Sequence, residues 1–174
     1  AAEAAIRAAD WLRADHSDAD IAEKLTAFAD AVLPLPFHRG VIARRVRLIR
    51  YAVNHLARGH DPLPTRFGRC VAPGGMYHVA GLGPSFWSAV AQALDPDRTP
   101  RWCPTVERGL ARVVAFHPAT SEAACRFALC HTLYLRLLAD HPDLTAPQLD
   151  DFLARVARMT GRELPTAPTP PADL

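Results

Sequence analysis

Apolar residues in this chain return every three to four positions and hold no sustained alternation. That spacing buries one face of a helix and gives no half-buried strand. Ile21, Leu25, Phe28 and Val32 form one such stripe, and Ala124, Phe127, Ala128, Leu135 and Leu138 form another. Proline and glycine break the rhythm into short rods. The pattern predicts helices over about 3–14, 18–33, 37–58, 64–71, 84–94, 104–115, 121–139 and 145–160. Ser17 is placed to cap the second of these, Thr120 or Ser121 the seventh, and Gly59 to end the third. The expected fold is all-α: one compact multi-helix domain over 1–163, wrapped around the helix at 84–94, with a Pro-rich tail or linker over 164–174.

With 174 residues, 49% of them hydrophobic, the chain can build a real core and is not of the disordered class. No apolar run is long enough to span a bilayer, and the N-terminus lacks the layout of a signal peptide. A soluble, cytoplasmic protein is expected. The start without Met and the Pro-rich end fit a domain excised from a larger protein. Cys70, Cys103, Cys125 and Cys130 have neither CxxC nor iron–sulfur spacing, so reduced, mostly buried thiols are expected. Cys125 with Cys130 or His131 lacks the second pair that a metal site would need.

The net charge is only +2, but it is unevenly spread. Residues 1–33 carry three bases and seven acids, net −4; residues 116–174 carry five arginines and seven acids, net −2. Between them, residues 34–115 carry twelve arginines against Asp61, Asp95, Asp97 and Glu107, net +8. Lys24 is the only lysine. Arginine grips phosphate through its planar fork, although an Arg-rich, Lys-poor composition also follows from a GC-rich genome. Arg44, Arg45, Arg47, Arg50, Arg66 and Arg69 are the candidates to follow a nucleic-acid backbone, the alternative being a solvated charged face.

Inside the basic block lies Val79-Ala80-Gly81-Leu82-Gly83-Pro84-Ser85-Phe86-Trp87. A Gly-x-Gly turn reverses the chain, glycine at both positions allowing positive φ and the close approach of another backbone, and Pro84 opens the next helix where proline is best tolerated. The backbone N–H groups of Gly83, Ser85 and Phe86 are then expected to point outward at the positive end of a helix dipole, as an anion site for a phosphate. An ordinary tight turn between helices would use the same four residues. His78, Phe86, Trp87 and Trp102 are placed to touch a nucleic acid, but packing is the better expectation for Trp102 and for at least one of Phe86 and Trp87, and a surface or half-buried place for the histidine.

Residues 37–115 resemble the core of the helix-hairpin-helix DNA glycosylases of the endonuclease III type. The long helix, the connector Gly59-His60-Asp61-Pro62-Leu63-Pro64, the short helix 65–71, the hairpin and Ala93-Leu94-Asp95 carry the resemblance. It implies DNA, in duplex form, as partner. It also implies a monovalent cation, K⁺ or Na⁺, held by the backbone carbonyls of Tyr77, Val79 and Leu82. The family's catalytic aspartate, however, falls on Cys103, and the lysine of its lyase members falls on Ser85. A thiol at neutral pH is a poor substitute for the carboxylate that activates water or stabilises a cationic sugar.

The sequence therefore predicts a non-catalytic DNA-binding module with no catalytic residue, possessing a phosphate site at Gly81, Leu82, Gly83, Ser85 and Phe86 flanked by Arg44, Arg45, Arg66 and Arg69. Such a module suits a larger DNA repair or defence protein. Two alternatives stand beside it: an active glycosylase or lyase using a displaced carboxylate such as Asp97 or Glu107, and a helical protein-interaction module whose hairpin is purely structural.

Overall fold

The computed structural model describes residues 16–33, 38–114 and 116–159, and among them it has seven α-helices and no strand. The helix expected over 3–14 and the tail at 164–174 lie outside the described residues, as does the boundary at 163. The helices are α1 (Asp18–Val32), α2 (His38–Arg58), α3 (Leu63–Val71), α4 (Pro84–Leu94), α5 (Pro104–Val114), α6 (Ala123–Asp140) and α7 (Ala146–Arg158). None of them is long and apolar enough to cross a membrane.

Each begins where its local chemistry allows. The Ser17 hydroxyl accepts the Asp20 N–H and caps α1. Thr145 and Gln148 close a capping box on α7. The expected cap on α6 is displaced: the helix starts after Glu122, which makes no side-chain cap, and the Thr120 hydroxyl accepts the Glu122 N–H one step earlier. One feature of α2 has no sequence signal. Its backbone leaves helical geometry at Arg45 (φ −124°, ψ 17°), so two helical pieces join there without proline or glycine at the break.

The core forms around α4, whose residues Phe86, Trp87, Ser88, Ala89, Val90, Ala91 and Ala93 are all buried. Phe28 of α1 meets Phe86 edge-on, and Phe86 in turn meets Trp87. Phe67 of α3 stacks on Phe127 of α6 at 3.9 Å between ring centres, and Trp102 closes both edges of that pair. The Ser88 hydroxyl, fully buried, accepts the Trp102 N–H at 2.6 Å and pins the segment after α4 to the helix itself.

The tightest seam lies between α5 and α7. Gly109 makes it possible, because a Cβ there would stand 2.4 Å from the Leu153 carbonyl oxygen. Gln92 of α4 reaches across to Asp150 of α7 with a 2.7 Å hydrogen bond. The other carboxylate oxygen of Asp150 is buried without a partner, since the Tyr134 hydroxyl gives its single proton to the Ala146 carbonyl. Burial pushes the Asp150 carboxyl up to about 6, against the opposing pull of its hydrogen bond from Gln92.

Candidate nucleic-acid interface

Between α3 and α4 the chain runs through a series of tight turns. Gly75 N–H donates to the Ala72 carbonyl, His78 N–H to the Gly75 carbonyl, and Leu82 N–H to the Val79 carbonyl at 3.0 Å. The last turn is anchored by Val79 and Leu82, both buried, while Ala80, Gly81 and Gly83 stay exposed. A short polar-edged loop is thus held by two apolar pegs at the mouth of α4.

The two glycines differ, and only one of them uses the positive φ that glycine allows. Gly81 has φ +93°, and a Cβ there would meet Val41 Cγ2 of α2 at 2.8 Å. Gly83 has φ −85° and ψ −176°, ordinary extended backbone, and a Cβ there would meet nothing within 4 Å. The turn needs its left-handed residue once, and Gly81 supplies it.

The expected set of outward N–H groups is also smaller. Phe86 N–H donates to the Gly83 carbonyl at 3.1 Å, and the Phe86 side chain belongs to the core. Among the described residues, Gly83 and Ser85 make no backbone hydrogen bond through their N–H groups, and no side chain caps α4. These two amides remain as donors at the positive end of the helix.

The arginines divide sharply. Arg47 pairs with Asp18 at 2.8 Å, and Arg50 reaches the same carboxylate and the His16 carbonyl. Arg69 pairs with Asp61 at 2.7 Å. Arg66 donates to the Leu56 carbonyl near the end of α2 and packs on Gly59, so part of its guanidinium secures that helix end. Arg44 and Arg45, in contrast, are exposed and make no ion pair or hydrogen bond among the described residues. Arg44 stands three positions after Val41, the residue that rests on Gly81, so helical spacing places it toward the hairpin side of α2, and Arg45 follows at the break in that helix. The sequence offers Val41 to the core among the apolar residues of this helix, but one valine there carries no signal that it rests on Gly81.

The positions that carry chemistry in the glycosylases are occupied differently here. Ser85 is exposed at the mouth of α4, and Cys103 is half-buried just before α5. Asp97 is exposed in the turn after α4. Glu107 holds the Arg126 guanidinium through both its oxygens and accepts the Trp102 indole N–H at 2.9 Å, which makes it a brace between α5 and α6. Trp102 packs, and His78 is half-buried, as expected. Of the cysteines, Cys70 and Cys130 are buried, Cys103 is half-buried and Cys125 is exposed, so the expectation of mostly buried thiols holds for two. Burial pushes the Cys70 thiol up to about 12 and raises that of Cys130 as well. Among the described residues no group of three His, Cys, Asp or Glu is placed to hold a metal ion.

Of the three carbonyls implied for a monovalent cation, that of Val79 already accepts the Leu82 N–H. One lone pair of that oxygen stays available, so an ion would share it with the turn.

Comparison with protein-family models, with curated proteins and with solved structures gives no match, so the fold and the hairpin are described by their own geometry.

Proposed function

We propose that this chain is a non-catalytic DNA-binding module that holds the sugar-phosphate backbone at the mouth of α4. The observation that carries this reading is the uncapped start of α4, where the Gly83 and Ser85 amides have no backbone partner among the described residues. Helix N-termini of this kind take phosphate through their amides and the helix dipole. Arg44 and Arg45, exposed and unpaired among the described residues, add flanking positive charge. Binding through phosphate alone reads little sequence. A monovalent cation on the carbonyls of Tyr77, Val79 and Leu82 would bridge the turn to the same phosphate. The module then serves a larger protein of DNA repair or defence, and duplex DNA is its partner.

The non-catalytic part of the reading is supported by the Ser85 and Cys103 positions and by the engagement of Glu107 with Arg126 and Trp102. Fluorescence anisotropy with a labelled duplex at low and moderate salt tests it. Binding that weakens steeply with salt is expected. Gly83→Leu is expected to abolish it with the fold intact, because the position is open. Absence of binding at low salt overturns the reading and leaves a protein-interaction module. Base release or strand scission on damaged or abasic duplexes overturns the non-catalytic part alone.

A further inference from the structure

At the far end of α4 from the hairpin, α2, α3, α4 and α6 leave a cleft of about 360 Å³. The eleven residues of α4 put it about 16 Å from Gly83 at the rise of an α-helix. The cleft is within the range of small-molecule sites and is separate from the surface that would meet DNA. Its floor is hydrocarbon: Leu56, Leu63, Leu94 and Leu135, from four different helices.

Its charged groups are mostly of one sign. Arg66, Arg98, His131 and Asp95 line it. The Arg66 guanidinium is held in place by the Leu56 carbonyl, and its Nε is buried with no hydrogen-bond partner. Arg98 is exposed, and its side chain has no ion pair or hydrogen bond among the described residues. Asp95, the one acid here, is also exposed and pairs with neither arginine. His131 stacks on Phe127, and its basicity is lowered mainly by burial, against the raising effect of Asp95. At neutral pH the cleft therefore carries two guanidinium charges against one carboxylate.

A concave apolar floor beside a surplus of one positive charge matches one kind of ligand. We propose that this cleft binds a small amphipathic carboxylate, its hydrocarbon body on the four leucines and its carboxylate on Arg98 and Arg66. The held guanidinium of Arg66 loses little freedom on binding, and Arg98 is free to close over the carboxylate. Asp95 disfavours a second negative charge on the ligand.

Titration calorimetry of the full chain with octanoate tests this, with octanol and octylammonium as neutral and cationic probes of the same length. Saturable one-to-one binding of octanoate is expected, with octanol weaker by about tenfold and octylammonium weaker still. Arg98→Ala, at an exposed position where folding is safe, is expected to bring octanoate down to the affinity of octanol. Leu135→Trp fills the cleft and is expected to abolish binding of both, with far-UV circular dichroism checking its fold. Absence of saturable binding overturns the proposal, as does equal affinity for octanoate and octanol. Octanoate affinity unchanged by Arg98→Ala overturns it independently of how Leu135→Trp folds.

Discussion

Gly109 and Gly83 mark opposite extremes of what a missing side chain does in this molecule. On the α5–α7 seam, a Cβ at Gly109 would stand 2.4 Å from a carbonyl oxygen, so the helices meet this closely only with glycine there. At the hairpin, a Cβ at Gly83 would meet nothing within 4 Å, and the backbone there is one that any residue adopts. Packing therefore accounts for the first glycine and leaves the second unexplained. What Gly83 does offer is an unobstructed approach to the amides at the start of α4, which is the property a phosphate site uses. Gly81, between the two in character, is demanded by the turn itself.

The comparison can be broken experimentally, most severely at the seam. Gly109→Val is expected to cost about 4 kcal/mol in urea unfolding, because backbone rather than a movable side chain blocks the new group. A loss under about 1 kcal/mol would mean that the seam relaxes and that the two glycines are alike.

Asp150 sharpens the comparison through pH. Its carboxyl titrates at about 6 in the fold against 3.8 as its ordinary value, so the native state holds the proton more tightly than the unfolded one. Its contribution to stability is full below about pH 3.8, falls as pH rises through about 6, and changes no further above that. The fall amounts to up to about 3 kcal/mol. Asp150→Asn is expected to remove this slope and to be more stable than the parent above pH 6, while leaving DNA affinity at the hairpin unchanged. Unfolding midpoints measured between pH 4 and 8 check it; an unaltered slope would assign it to another group.

Gly81→Ala is expected to cost about 2 kcal/mol, from a strained left-handed residue and the Val41 contact. Gly83→Ala is the mildest change. It is expected to alter stability by no more than about 0.5 kcal/mol, yet to weaken duplex binding measurably by anisotropy. A Gly83→Ala protein that unfolds early would remove the distinction between the two ends of the comparison.

The helices were legible in the sequence because the apolar spacing and the prolines that delimit them are local properties. The helix at 84–94 has the bounds its Pro84 and its Asp95-Pro96 stop predict. The break at Arg45 was not legible, since no residue type there marks it. Nor was the division of the arginines. Arg47 lies 29 residues from Asp18, and no count of charge within a segment sees a partner that far away. The same holds for Glu107, whose role as a brace depends on Arg126, 19 residues further on. At the hairpin, the turn and its glycine-rich character were legible. Which glycine takes positive φ, and that Phe86 N–H is engaged, are properties of the closed turn and of the helix that packs against it.

The hydrogen bond between Gln92 and Asp150 has a consequence in time. It joins residues 58 apart, so it closes only once α4 and α7 have come together. An interaction made after the folding barrier affects how fast the native state opens and hardly how fast it forms. If the Asp150 carboxyl is buried only after that barrier, ionising it as pH rises speeds unfolding while refolding keeps its rate, because what is lost is the cost of a buried carboxylate and not the bond to Gln92.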